Sequence, residues 1–169
     1  ARELNLNVLE TRTILYMCSN FKETARDSVD FLKMKKDDLV RVVSSDHLNV
    51  ETEDIVLHAV LRWVLFEIRQ REMFVGELAS YIRFPYCSLE KLIHSAAGHG
   101  LLARNAMCRE LVSEALHVQS NNHHYIHNPR TIPRESYVGK MPHLLLYHTF
   151  GKPACLRARW NLDSRTLQW

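Results

Sequence analysis

Ser44-Ser45-Asp46-His47-Leu48-Asn49-Val50-Glu51-Thr52-Glu53-Asp54 runs straight into Ile55-Val56-Leu57-His58-Ala59-Val60-Leu61-Arg62-Trp63. The polar cluster at its start is suited to ending one helix, and its last three residues are suited to starting another. Thr52 belongs to the class that caps helix N-termini, and Glu53 and Asp54 place acid in the first turn, where the helix dipole favours it. Val56, Ala59, Val60, Trp63 and Val64 then fall on one apolar stripe. The spacing predicts a helix over 53–70, with a stripe broad enough to meet more than one neighbouring helix. Arg69, Arg71 and Arg62 lie toward its C-terminal half, where cations are favoured.

Upstream, Ile14, Met17, Cys18 and Phe21 recur at i, i+3, i+4 and i+7, which predicts a helix over 8–24. Arg12, Asn20, Lys22 and Glu23 take its other side. A short helix is expected at 28–32 with Ser28 as its cap. Another begins near Lys36, acidic at Asp37 and Asp38 and apolar at Leu39, Val42 and Val43, and the serine cluster ends it. Downstream, residues 74–82 read as a helix with Leu78, Tyr81 and Ile82 inward, stopped before Pro85. Ser88 can cap a helix in which Leu89, Leu92, Ile93 and Ala96 share a face, ended by Gly98 and Gly100. A last helix is expected from about Arg104 to Val118 with Met107, Cys108, Leu111, Val112 and Ala115 inward. Short connections between such helices favour antiparallel hairpins packed side by side. After residue 119 the pattern changes. A polar stretch and three X-Pro steps, Asn128-Pro129, Ile132-Pro133 and Met141-Pro142, read as a linker. His143 to His148 and Cys155 to Trp160 read as short strands, with a turn at Asn161 to Ser164. The expected fold is therefore mainly α, antiparallel helical hairpins over 1–120, a linker over 121–142 and a short β segment over 143–169.

Composition narrows the function classes. The 169 residues are 46% apolar and 24% charged, with only five glycines and five prolines, too few turn-formers for an all-β barrel. The longest near-continuous apolar stretch, Ile55 to Ile68, is interrupted by His58, Arg62 and Glu67, and the N-terminus has no apolar signal core, so a soluble intracellular protein is expected. With no initiator methionine, the chain is expected to begin inside a longer protein. Cys18, Cys87, Cys108 and Cys155 are widely spaced and read as free thiols. The net charge of +3 is uneven: residues 126–169 hold seven Lys/Arg against two acids. These bases are interleaved with apolar residues, which points to a boundary between structural units and not to a nucleic-acid surface. His123, His124 and His127 lie together without a neighbouring cysteine or carboxylate, so no metal is expected there. Cys108 precedes Arg109 but sits on the apolar face of its helix, where a thiol is structural and inert. No nucleophile elbow, phosphate loop or zinc-protease motif is present, and the chain is expected to be no enzyme and to need no cofactor. Trp63, within its stripe, is expected in the core.

The ordered set of motifs resembles the Kelch-like family. Ser44 to Asp54 resembles the SSDxLNVxSE core of BACK domains, and Ile55 to Trp63 the helix that follows it. Tyr81-Ile82-Arg83-Phe84-Pro85 is similar to the family's VRFPL element, Arg109 to Ala115 to its final helix, and Arg130-Thr131-Ile132-Pro133-Arg134 to its RTxPR linker. Leu144 to Tyr147, Phe150-Gly151, Trp160, Asp163, Thr166 and Trp169 are similar to a degenerate first Kelch repeat lacking one glycine of the usual pair. The resemblance implies a non-catalytic segment of a substrate adaptor for a cullin-RING ubiquitin ligase. In such a protein a BTB domain self-associates, a Kelch propeller holds a protein substrate, and the BACK domain spaces the two. It implies proximity of residues 1–25 to the cullin, with Leu4, Leu9, Arg12 and Tyr16 as candidate interface residues, and a location in cytoplasm or nucleus. The alternative is a BTB-BACK-Kelch scaffold outside ubiquitin transfer, serving cytoskeletal or RNA-processing assemblies.

Overall fold

The computed structural model describes the backbone of residues 2–97, 100–120, 129–134, 136, 159–161 and 166–168. Its helices are α1 (Arg2–Ser19), α2 (Phe21–Asp27), α3 (Val29–Leu32), α4 (Lys36–Val43), α5 (Glu53–Phe66), α6 (Ile68–Arg71), α7 (Val75–Ser80), α8 (Leu89–Ala97), α9 (Leu101–Arg104) and α10 (Ala106–Ser120). Single 3-10 turns stand at Glu72–Phe74, Phe84–Tyr86 and Pro129–Thr131. The architecture is mainly α, as the apolar periodicity predicts. Strands β1 (Arg159–Asn161) and β2 (Thr166–Gln168) pair antiparallel, with Trp160 opposite Leu167. β1 overlaps the end of the strand expected at Cys155 to Trp160, but Asn161, expected in the turn, belongs to it. The strand expected at His143 to His148 lies outside the described residues.

α5 is the centre of the unit, and its stripe is as broad as expected. Val56, Leu57, Ala59, Val60, Trp63 and Val64 are all buried, against α2 and α3 on one flank and α7 on the other. α1 packs on α4, and α10 lies across α7, α8 and the Phe84–Tyr86 turn. One continuous core results. It runs from Cys18, Phe21 and Phe31 through Leu39, Val42 and Val43 to Leu78, Ile82, Leu92, Cys108 and Val112. Phe21 and Phe31 meet edge to face with centroids 6.0 Å apart, an arrangement the ring quadrupoles favour. Each fully buried aliphatic or aromatic side chain of this kind contributes about 1.5–3 kcal/mol.

Several expected helices are interrupted or shortened, and at Asn20 and Glu67 a polar group closes the break. The helix expected over 8–24 breaks at Asn20, with Asn49 closing the gap: its backbone N–H donates to the Cys18 carbonyl at 2.9 Å and its side-chain Nδ2 to the Ser19 carbonyl at 3.3 Å. The helix expected over 53–70 breaks at Glu67. There Arg71 folds back, and its Nη1 donates to the Trp63 carbonyl at 2.9 Å, one of the α5 carbonyls that a helix end leaves without a partner. Thr52 stands at the cap position of α5, but its side chain makes no capping bond. The helix expected over 74–82 is the 3-10 turn plus α7, with Tyr81 and Ile82 just beyond. The last helix, expected from about Arg104 to Val118, is α10, shifted by two residues to Ala106–Ser120. Asn105 ends α9 and starts α10, its Oδ1 accepting from the Cys108 N–H at 3.2 Å. Met107, expected inward, is 47% exposed because it falls in this new first turn. On the expected face of α8, Leu92 is fully buried, while Leu89 and Ile93 face solvent; the side chain of Ala96 lies outside the described residues. Ser28 caps α3 as expected, accepting from the N–H groups of Asp30 and Phe31.

Candidate functional site

The motif segments, distant in sequence, meet at one buried arginine. Arg134 and Glu53 are both 0% exposed, with Nε donating to Oε1 at 2.5 Å and Nη2 to Oε2 at 3.3 Å. Such a pair is tolerable inside a protein only if its remaining polar atoms are satisfied. Arg134 Nη1 donates to the Ser45 carbonyl at 2.6 Å, and Nη2 also lies 3.4 Å from the Tyr81 carbonyl. Glu53 Oε2 accepts from the Arg83 backbone N–H at 3.3 Å. The serine cluster, the start of α5 and the Tyr81-to-Pro85 element are thus tied together by a residue from the segment expected to be a linker.

The other motif residues serve the same junction. Leu48 and Val50 are buried, and Asn49 closes the α1–α2 break as described. Asp46 pairs with Arg83 Nη2. Asp54 accepts from the Ser88 N–H at 3.0 Å, and Gln119 on α10 donates to the carbonyls of Pro85 and Cys87 at 2.9 and 2.8 Å. The segment leading to Arg134 is fastened along its length. Arg130 pairs with Glu114 on α10 at 2.9 Å, and the Tyr86 hydroxyl donates to the Thr131 carbonyl at 2.6 Å. Beyond Arg134, Ser136 Oγ donates to the Leu48 carbonyl at 3.0 Å.

A second polar cluster braces the far end of α5. Trp63 is 2% exposed, as the stripe predicts, and its Nε1 donates to the Met34 carbonyl at 2.9 Å. The Arg71 guanidinium lies 3.9 Å over its ring, donates to the Leu32 carbonyl at 2.7 Å and pairs with Glu67 at 2.5 Å. Arg62 Nη1 donates to the carbonyls of Ala25 and Arg26 at the C-terminus of α2. Arg62 and Arg71 therefore bind the end carbonyls of α2, α3 and α5 instead of merely complementing a dipole.

The predicted interface residues lie apart from this junction. Leu9, Arg12 and Tyr16 stand on α1 at i, i+3 and i+7, all exposed, Leu9 at 62% and Tyr16 at 67%. Leu4 is also on α1, its side chain outside the described residues. Val8 and Leu15 extend the exposed apolar surface, while Ile14, Met17 and Cys18 turn the opposite side of α1 to the core.

Cys18, Cys87 and Cys108 are buried free thiols. Burial pushes the Cys108 thiol up to about 11 and raises Cys87 further, with Asp54 adding to the effect. At neutral pH both are protonated and poor nucleophiles. Among the described residues no group of three or more metal-ligating side chains comes together. His123, His124 and His127 lie outside them. No helix among them is long and apolar enough to cross a membrane.

Sequence reasoning missed the clasp. It assigned Glu53 to the helix dipole and Arg134 to a linker. The available signal was the pair of arginines, Arg130 and Arg134, in a segment otherwise built for turns.

Residues 1–97 match the family model "BACK: BTB And C-terminal Kelch". Human Kelch-like protein 28 is 31% identical over 101 residues, covering 60% of this chain and 18% of the relative. Mouse Kelch-like protein 1 is 28% identical over 128 residues, 75% of this chain and 17% of the relative. Zebrafish Kelch-like protein 24a is 30% identical over 134 residues, 78% and 22% respectively. The chain thus spans about a fifth of the length of these relatives. No solved structure matches it. The family match covers more than half of the chain and contains the Ser45, Glu53 and Tyr81 side of the clasp, so the chain belongs to the BACK domain family of Kelch-like proteins.

Proposed function

We propose that this chain is the non-catalytic spacing arm of a Kelch-like substrate adaptor for a cullin-RING ubiquitin ligase. In this reading residues 1–120 form the arm, residues 121–142 carry it to the next domain, and residues 143–169 begin the Kelch propeller that holds the protein substrate. The single observation that carries the arm role is the clasp. A tether between mobile domains has no use for a fully buried ion pair, whereas an arm that must hold distance and angle does. The pairing of Arg159–Asn161 with Thr166–Gln168 suits the opening of a β repeat. Self-association belongs to the BTB domain, and the reading places the protein in cytoplasm or nucleus.

The cullin side of the arm is α1, where Leu9, Arg12 and Tyr16 offer an exposed apolar face bearing one cation. Exposed side chains contribute little to folding, so their replacement separates binding from stability. The test is co-precipitation of cullin with the full-length protein and with its Leu9→Asp/Tyr16→Ala variant. Cullin recovered with the first and lost with the second, at equal thermal stability, is the expected result. Cullin absent from both would overturn the ligase reading and favour a scaffold outside ubiquitin transfer.

A further inference from the structure

The segment from Arg130 to Ser136 is held by four fasteners on four different parts of the helical unit. Arg130 meets Glu114 on α10. The Thr131 carbonyl meets Tyr86 of the 3-10 turn. Arg134 enters the cleft between Ser45, Glu53 and Tyr81. Ser136 reaches the Leu48 carbonyl. Among the described residues of this segment only Arg134 is fully buried; Arg130, Thr131 and Ser136 are partly accessible and Ile132 is exposed. The segment therefore behaves as a surface strip pinned by one deep anchor. If the strip lifts fully, Glu53 and the Arg83 N–H it accepts from at 3.3 Å are opened to water together; if it lifts only in part, Glu53 stays buried without the cation that balances its charge, and a buried unbalanced carboxylate is costly. Partial lifting with Arg134 half withdrawn is therefore the least favourable state.

We propose that residues 130–136 are a latch that seats and releases as one cooperative unit, fixing the point from which the chain continues beyond residue 136. The outer hydrogen bonds from Tyr86 and Ser136 set how often the latch opens. The Arg134–Glu53 pair makes opening all or none. The proposal deepens the spacing-arm reading and rests on it only for its consequence, since a latch that seats gives the arm a fixed exit.

The test removes the outer fasteners and leaves the buried pair intact. Full-length protein and its Tyr86→Phe/Ser136→Ala variant are digested with trypsin under native conditions, following the Arg130–Thr131 bond, and hydrogen exchange is followed at the Arg83 amide. Cleavage tracks the open population when opening and closing are fast. Two lost hydrogen bonds are expected to speed cleavage about tenfold to a hundredfold, with exchange at Arg83 rising by the same factor. Cleavage after Arg109, inside α10, reports global unfolding and is expected to stay unchanged. Equal cleavage rates in both proteins would overturn the proposal. So would faster cleavage with Arg83 exchange unaltered, because the strip would then be loose while the anchor stayed seated. Cullin co-precipitation is read separately: a failed latch with cullin bound overturns this inference alone, and a protected latch without cullin overturns the ligase reading alone.

Discussion

Replacing Trp63 by alanine removes three things at once, and the structure allows each to be weighed. The indole is 2% exposed in the middle of the α5 stripe, and truncating a core tryptophan costs about 3–5 kcal/mol from lost transfer energy and the cavity left behind. Its Nε1 hydrogen bond to the Met34 carbonyl is worth about 1 kcal/mol net. The Arg71 guanidinium, 3.9 Å over the ring, loses a cation–π contact worth about 1–2 kcal/mol when desolvated. These terms share atoms and are not additive, so a total of about 4–6 kcal/mol is expected. For a chain of this size that lowers the Tm by roughly 2–4 °C per kcal/mol. Trp63→Phe separates the contributions: it keeps a ring under Arg71 and most of the volume but loses the donor, and should cost about 1–3 kcal/mol. The assay is thermal and urea unfolding followed by circular dichroism. A melt of Trp63→Ala within 2 °C of the parent would refute the core assignment, and Trp63→Phe as damaging as Trp63→Ala would refute the apportioning.

Other expectations follow from single contacts. Ser28→Ala removes the side-chain cap of α3 and should cost about 1 kcal/mol by urea unfolding, whereas Thr52→Ala, at a cap position with no side-chain bond, should cost less. Cys108 and Tyr86 are pushed up to about 11 and about 12 by burial. Both hold their protons more tightly folded than unfolded, so their contribution is complete below pH 9 and is lost as pH rises through those values. Stability should therefore fall above pH 9 in a pH series of melts, less steeply in Cys108→Ala. Cys18, Cys87 and Cys108 should resist alkylation at pH 8 in the native protein and react fully in urea, as read by peptide mass spectrometry; rapid native labelling of Cys108 would contradict its burial.

Much of the helical fold was legible because its determinants are local. α4, the start of α5 and the Ser28 cap follow from acid placement, cap chemistry and periodicity within a few residues. The misses share one physical cause, which is that apolar periodicity does not see the polar partners that interrupt a helix, near or far along the chain. The break at Asn20 depends on Asn49, the break at Glu67 on Arg71 turning back to Trp63, and the exposure of Met107 on the cap that Asn105 supplies. The burial of Arg134 is the extreme case, since its carboxylate partner lies 81 residues away. Charge in a proline-punctuated segment reads as solvated until that partner is located. The exposed face of α1 was nominated from the family resemblance, and the exposure of Leu9, Arg12 and Tyr16 leaves it available to a partner.

The most direct test of the clasp is a double-mutant cycle on Arg134→Met and Glu53→Gln, with unfolding free energies measured by urea for the parent, both single variants and the double. Arg134→Met alone leaves a buried carboxylate without its cation and should cost about 3–5 kcal/mol. The double variant removes both charges, and should lose clearly less than the sum of the singles. A coupling energy of at least about 2 kcal/mol is expected. A coupling within about 0.5 kcal/mol of zero would mean that the two side chains do not meet in the folded protein, and would contradict the account.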